Sequence, residues 1–404
     1  MTNHRLSSFA VSLASFLLVA AASSVPRAAR ANEPTELRVG HAAADAGDPL
    51  ARYRNWKIRY LTQGTCLSDE RYVDSSGHAG NDGDITVSEA HGYGMLALVA
   101  MADKDGDAHE DFDRMVNFML RMQGGSALPL MPWRITADCE PAYKKSSAPE
   151  ASAPDGDMDM AYALLSAEQK WGNAGAHDYG ALAREKIDAV MNHVVQGADT
   201  ARPILGLFED IEPSSRYYGG TRISDYMMAH FERFAAATGD DRWRALANNG
   251  YRMLQVLQSQ SASGLLPDFA VARGDDIAAA KANYLEGELD GGFGYNACRA
   301  PWRLAAAVRA SKDERAKAIL TTLLNAELAL SNGDPQRLFD GYTLAGYQGG
   351  TSSGRLAFLA PAAMGMATLK NFAFDSYVWR QAVRATPMGQ GYFDDTVALL
   401  TLLP

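Results

Sequence analysis

The sequence predicts a large all-α domain, and three observations carry that expectation. Helical periodicity recurs along the chain in segments of ordinary helix length. Strand-like alternation is scarce. Two turns recur in similar words, Ala237-Thr238-Gly239-Asp240-Asp241-Arg242-Trp243 and Ala310-Ser311-Lys312-Asp313-Glu314. Each ends one helix and opens the next with an Asp near its N-terminus. Helix, short turn, helix, longer loop is the grammar of stacked αα-hairpins. The chain has 404 residues and is 47% apolar, enough for one large core. No Pro- or Ser-rich linker divides residues 32–404, so one domain is expected there.

Taken in order, residues 1–31 read as a secretory signal peptide. His4 and Arg5 give a polar start, Phe9 to Ala22 is the apolar core, and Ala29-Arg30-Ala31 fits a cleavage site before Asn32. The apolar run is short and is soon followed by Arg27 and Arg30, which argues against a membrane span; an uncleaved anchor is the alternative. A secreted or periplasmic protein is expected, with no membrane association after cleavage. The formal net charge is −10, and the signal carries three arginines and no acid, so the remainder is more acidic still. That balance excludes nucleic-acid backbones as partners and suits neutral or cationic ones. Cys66, Cys139 and Cys298 match no zinc spacing. One disulfide with a buried thiol and three buried thiols both remain open.

Helices are expected at 51–62, 89–102, 109–123, 157–172, 178–195, 224–238, 241–260, 299–311, 313–331, 354–370, 373–385 and 393–402. In the first, Trp56, Tyr60 and Leu61 share a face and read as core. The second opens on Val87-Ser88-Glu89-Ala90-His91-Gly92-Tyr93-Gly94-Met95. Ser88 is placed to cap it and Glu89 falls in its first turn. Gly92 and Gly94 cost about 1 kcal/mol each against Ala, so a neighbouring helix or a ligand should come close there. The loop before it, Ser75 to Asp84, fails the EF-hand template, because His78 and Gly80 stand where carboxylates are needed. Asp103-Lys104-Asp105-Gly106-Asp107 fails the same template.

A second acidic block, Ala153-Pro154-Asp155-Gly156-Asp157-Met158-Asp159, precedes an apolar helical run. Capping and dipole neutralisation account for one acid well and for three poorly. A metal-binding Asp-x-Asp of a nucleotide-sugar transferase lacks its accompanying Gly-rich loop. Ser224-Asp225-Tyr226 opens a later helix, with Asp225 as its cap. The third block runs from Tyr284 to Arg303 and holds Glu286, Glu288 and Asp290 among four glycines, then Tyr295-Asn296-Ala297-Cys298-Arg299-Ala300-Pro301-Trp302-Arg303. Three acids and two arginines in a Gly-rich aromatic loop are unusual for mere connection. Trp133 and Tyr217 are candidate platforms for an apolar ligand face.

These blocks resemble one family. Ser88-Glu89-x-x-Gly92-Tyr93-Gly94-Met95 is similar to the signature around the catalytic acid of glycoside hydrolase family 8, inverting endo-glycanases of β-1,4-glucans, chitosan or xylan. The second block resembles that family's Ala-Ser/Thr-Asp-x-Asp, with Pro154 in place of Ser or Thr, and the third resembles its Tyr-Asn-Ala-Cys-Arg-x-Pro-Trp-Arg stretch. The resemblance implies an (α/α)6 barrel of six helical hairpins. It implies Glu89 as the catalytic acid and Asp155 as the group that touches the sugar beside the scissile bond and supports ring distortion. Asp157, Trp133, Tyr217, Tyr295, Asn296 and Arg299 follow as substrate contacts, with Arg299 and Arg303 holding carboxylates.

The base is where this chain departs from one branch of the family, which carries Asp at the position of Asn296. An amide cannot take a proton from water. Another branch carries that Asn and recruits a Glu from a Leu-Glu-Gly-like stretch, which here is Leu285-Glu286-Gly287. Glu286 is therefore the expected base, with Glu288 and Asp290 as alternatives. Inversion implies that Glu89 and Glu286 stand about 6.5–9.5 Å apart. No metal or organic cofactor is implied, and a monomer is expected. The expected substrate is a β-glucan, with chitosan second; a sugar-binding homologue without activity and a lyase on the same barrel are the rival classes.

Overall fold

The computed structural model describes residues 48–77, 83–124, 128–142 and 152–403. The signal segment and residues 78–82 of the Ser75–Asp84 loop lie outside the described residues. Twelve α-helices are found among them: α1 Pro49–Tyr60, α2 Ser88–Ala100, α3 Ala108–Gln123, α4 Pro154–Trp171, α5 Tyr179–Ala189, α6 Met228–Thr238, α7 Arg242–Gln260, α8 Ala300–Ser311, α9 Glu314–Ser331, α10 Leu356–Thr368, α11 Ala373–Ala385 and α12 Tyr392–Leu402. The even-numbered helices form the inner ring. Each packs on the next, α2 on α4 and so on round to α12, which returns to α2. The fold is an (α/α)6 barrel, as expected.

The inner helices are apolar nearly all round, as burial on both sides requires. In α10, ten of thirteen residues are buried, and Pro361 is accommodated inside the helix. Outer helices carry one apolar stripe, as in α3 with Phe112, Met115, Val116 and Met119. The two recurrent turns behave as read. Gly239 and Lys312 close α6 and α8 in the left-handed region, and the Asp313 carboxylate accepts from the Arg315 amide at 2.8 Å. Asp48 caps α1, and Trp56 fills the interface with α12, its Nε1 donating to Thr396 Oγ1 at 2.8 Å.

Short strands decorate one end of the barrel. β1 (Asp84–Val87) and β2 (Arg134–Thr136) pair antiparallel, with Val87 opposite Arg134. β3 (Val195–Gln196) pairs with β4 (Ile204–Leu205), and β5 (Gly220–Arg222), β6 (Phe269–Arg273) and β7 (Asp276–Ala279) form a three-stranded sheet. Two expected helix starts change for this reason. Ser88 does not cap α2: β1 runs straight into the helix, Val87 is the N-cap, and the Ser88 amide donates to the Trp133 carbonyl at 3.0 Å. Residues 223–225 form a 3-10 turn after β5, and α6 begins only at Met228. Cys66 and Cys139 form a disulfide that ties the chain after α1 to the turn after β2, while Cys298 is a buried thiol.

One buried acid sits outside the expected blocks. Glu327 of α9 is wholly buried, and neither carboxylate oxygen has a hydrogen-bond partner among the described residues. Burial raises its pKa well above the ordinary value. The folded state therefore holds a proton that the unfolded state releases above about pH 4.3. Its stabilising share is complete below that pH and declines as pH rises toward the folded pKa, by up to about 1.4 kcal/mol per unit. Glu327→Met should raise stability by about 1–3 kcal/mol and flatten this dependence. Melting temperatures at pH 5 and pH 8 check it; equal slopes for both proteins would contradict the assignment.

Candidate active site

The N-terminal ends of α2 and α4 cross at unusually close range, and glycine permits it. A Cβ on Gly156 would stand 2.5 Å from the Ser88 carbonyl carbon, and one on Gly92 2.9 Å from Asp159 Cβ. The neighbour expected at Gly92 is thus a helix. This crossing places Glu89 and Asp155 beside one another.

Arg299, in the 3-10 turn before α8, joins them. Its Nη1 donates to Glu89 Oε2 at 2.7 Å, to Asp155 Oδ2 at 2.8 Å and to the Tyr93 hydroxyl at 3.1 Å. Its Nη2 donates to Ser224 Oγ at 2.9 Å and Asn296 Oδ1 at 3.1 Å. Arg299 is buried, with 1% exposure. It holds the Glu89 and Asp155 carboxylates, as expected. Asn296 Nδ2 then donates to Glu286 Oε2 at 2.8 Å, and Arg222 Nη2 donates to Glu286 Oε1 at 3.0 Å. Arg222 also faces Asp225 at 3.4 Å and Asp155 at 3.9 Å. All three sequence blocks thus enter one hydrogen-bonded chain running from Glu89 through Arg299 and Asn296 to Glu286.

The carboxyls differ in environment. Burial raises the Glu89 pKa to about 7; Arg299 opposes the shift and the Asp155 charge adds to it. The Tyr392 hydroxyl donates to Glu89 Oε1 at 3.3 Å. Burial works upward on Asp155 too, but Arg222 and Arg299 together hold it below the usual carboxylate range. Its Oδ1 accepts from the Gly156 amide at 2.9 Å, with Pro154 at the first helical position, so the Pro leaves the acid oriented. Asp225 does not cap a helix. It is buried among these charges, and burial, then Asp155, lifts its pKa to about 6. Glu286 is about half exposed, its side chain at 48%, so water reaches it.

The remaining expected residues divide. Asp290 is buried and accepts from the amides of Leu285 at 2.6 Å, Glu286 at 3.0 Å and Gly287 at 2.9 Å, so it shapes the loop that presents Glu286. Glu288 is exposed. Asp157 has no exposed surface; it accepts from Lys186 Nζ at 2.7 Å and the Met131 amide at 2.9 Å, forming an internal ion pair. Asp159, expected to do no more than neutralise a dipole, is also buried and binds Arg303 through both oxygens, at 3.0 and 2.6 Å, and His230 at 2.9 Å. Trp133 is 41% exposed at the mouth beside Ser88, with Arg134 over its ring at 5.0 Å. Tyr217 is half-buried against the edges of Phe208 and Tyr284. Tyr295 is 37% exposed, braced by Phe358 and Phe393, and its hydroxyl donates to Asp340 at 3.3 Å.

Sequence reading missed Arg222, Tyr392, the network role of Asp225, and Asp268. The Asp268 carboxylate accepts from the Gly294 amide at 2.9 Å and the Ala297 amide at 2.6 Å, anchoring the loop around Asn296. Burial pushes it up to about 7 against those amides. Asp225 stood in a motif-like triplet and Tyr93 within the first signature. Arg222 and Tyr392 carried no local signal.

Chemically, the cluster offers one carboxyl poised to be protonated near neutrality and one solvent-reached carboxylate, with a third held ionised beside the first. Glycoside hydrolysis by paired carboxyls needs such an arrangement. Comparison with known proteins agrees. The family model for glycosyl hydrolases family 8 matches residues 36–404. A beta-glucanase of Niallia circulans is 36% identical over 357 residues, 87% of this chain and 82% of that protein. Endoglucanase A of Acetivibrio thermocellus is 27% identical over 87% of this chain and 68% of its own length. The apo structure of a beta-1,3-1,4-glucanase from Paenibacillus sp. X4 superposes with a TM-score of 0.79 at 34% identity, covering 89% of this chain and 91% of that one. The chain is a glycoside hydrolase and belongs to glycosyl hydrolase family 8.

Proposed function

We propose that the protein is an exported, inverting endo-β-1,4-glucanase in which Glu89 is the acid, Glu286 the base and Asp155 the group that holds the sugar beside the scissile bond. The observation that carries this reading is the contrast between the largely buried Glu89, raised to about 7, and the half-exposed Glu286 at the far end of the Arg299–Asn296 chain. Glu89 donates its proton to the glycosidic oxygen as the anomeric C–O bond breaks. Glu286 takes a proton from water, whose oxygen bonds to the anomeric carbon from the opposite face. Asn296 and Arg222 orient Glu286, and Trp133, Tyr217 and Tyr295 offer faces to the sugars. The names of the relatives favour β-glucan, and mixed-linkage glucan is the first substrate to try. Export is supported by the leader-like residues 1–31 and by the Cys66–Cys139 disulfide, since such bonds persist in oxidising compartments.

Lichenan, carboxymethyl-cellulose, chitosan and xylan assayed side by side test the substrate. β-Glucans should be turned over fastest. Faster chitosan hydrolysis would move the reading to a chitosanase, for which the net charge of −10 is the supporting observation. A product absorbing in the ultraviolet would indicate a lyase, and no product with retained binding would indicate an inactive homologue.

Asp155 and Asp159 should separate under mutation. Asp155→Asn should cut turnover by orders of magnitude and cost less stability than Asp159→Asn, because Arg299 keeps Glu89 and Asp225 as partners. Asp159→Asn breaks a buried pair with Arg303 and should cost about 3–5 kcal/mol of stability. Urea unfolding beside steady-state kinetics checks both. Equal stability losses at the two positions would remove the distinction.

A further inference from the structure

Arginines on this acidic chain are mostly neutralised in pairs. Arg114 pairs with Glu110, Arg242 with Asp240, Arg244 with Glu232, and Arg315 with Asp313. Others, among them Arg233, Arg252 and Arg337, form no ion pair with a carboxylate among the described residues, and three further such arginines share one cavity. Arg309, near the C-terminus of α8, and Arg380 and Arg384, one turn apart on α11, line a single cavity of about 320 Å3 between α8, α10, α11 and α12. None of the three forms an ion pair with a carboxylate among the described residues, and the cavity lining includes no acid. Arg309 Nε donates to Thr368 Oγ1 at 3.0 Å, which leaves both its terminal nitrogens for another acceptor. The Nε of Arg384 is buried with no partner.

Complementing helix dipoles explains part of this arrangement, since Arg309 and Arg384 each stand in a last turn. It does not explain Arg380, which is further inside α11, nor the convergence of two helices on one cavity. Burial, with the Arg380 charge adding to it, lowers the Arg309 pKa from its ordinary value. Like charges held this close repel, and a bound anion would relieve them.

We infer that Arg309, Arg380 and Arg384 form a binding site for a phosphate-sized oxyanion, remote from the carboxyl cluster. Guanidinium forks suit the edges of phosphate and of phosphate esters, and three arginines lining one cavity have the donors for two or more bidentate contacts. The same α11 presents Phe374, 77% exposed, and Tyr377, 67% exposed, on the face that carries Arg380 and Arg384. The phosphate could therefore be free or carried on a lipid headgroup.

Calorimetric titration of the full chain with inorganic phosphate, against chloride at matched ionic strength, tests the site. Saturable binding of phosphate is expected. Arg380→Gln and Arg384→Gln should each weaken it roughly tenfold, on the scale of a lost charge-assisted hydrogen bond. Hydrolytic activity should be unchanged in both, because neither residue belongs to the carboxyl cluster. Co-sedimentation with vesicles of phosphatidylglycerol in phosphatidylcholine, against phosphatidylcholine alone, assigns the source. Selective sedimentation, lost in the double variant, places the phosphate on a lipid; its absence alongside calorimetric binding places it on a free ion. Heat no different from chloride together with no selective sedimentation, or binding that survives both substitutions, would overturn the proposal.

Discussion

Glu89→Gln should reduce turnover on an unactivated polymer by about 10²–10⁴-fold while leaving oligosaccharide affinity nearly intact. The amide keeps the shape of the side chain, and its one carbonyl oxygen can still accept from Arg299, while its NH2 faces the Tyr392 hydroxyl, whose oxygen can accept in turn. It cannot deliver a proton to a departing oxygen. The wild type also carries a pH signature. With the Glu89 pKa raised to about 7, the protonated acid is the majority species below that pH and falls tenfold per unit above it. The kcat/KM of the wild type should decline on the alkaline side with that midpoint, and the residual rate of the Gln variant should lack the decline. A substrate with a leaving group that needs no protonation should lose far less, because its departure does not use the acid. Retention of more than a tenth of wild-type turnover on the polymer would sink the assignment.

The helices were legible because each one announces itself locally. Apolar residues at helical spacing, an Asp in the turn and a Gly or Lys at the close mark the turns from inner α6 to outer α7 and from inner α8 to outer α9, and all twelve expected segments contain a helix. What shifted was decided across the chain. Ser88 lost its capping role because β1, paired with the distant β2, runs straight into the helix and makes Val87 the N-cap, and Ser224-Asp225 became a tight turn because β5 delivers the chain to the site before α6 can start.

The site divides in the same way. Glu89, Asp155 and Arg299 sit in compact motifs, so residue type and spacing pointed to them. Tyr392 reaches Glu89 from 303 residues away, and Arg222 meets Glu286 from 64 away. No window of sequence contains those approaches; they exist because the ring of helices closes. The internal ion pairs of Asp157 and Asp159 were hidden for a related reason. Their partners, Lys186, His230 and Arg303, come from other helices, so a cluster of acids that looks like one ligand-facing patch is split between the site and the barrel interior.

Glu286→Gln should lose activity by orders of magnitude, and its effect should differ in kind from that of Glu89→Gln. A base is needed whatever the leaving group, so an activated substrate should not rescue this variant. Asn296 Nδ2 and Arg222 Nη2 both donate to Glu286, and an amide at 286 would turn its own NH2 toward one of them. Some loss of order in the loop is therefore expected beside the lost proton acceptor. Asp290, which ties the same loop through three backbone amides, should keep its course. Glu288→Gln is the control: the residue is exposed, and its substitution should leave most of the turnover. Inversion is the outcome expected if Glu286 is the base. A base that activates water, rather than attacking the sugar itself, must leave room for that water, and the Asn296 side chain occupies the line between Glu286 and Arg299 without bridging the two carboxyls directly. Proton NMR of the first product released from a β-glucan should show the α-anomer before mutarotation. A β-anomer as first product, or a Glu288→Gln loss as large as that of Glu286→Gln, would move the base elsewhere in the loop.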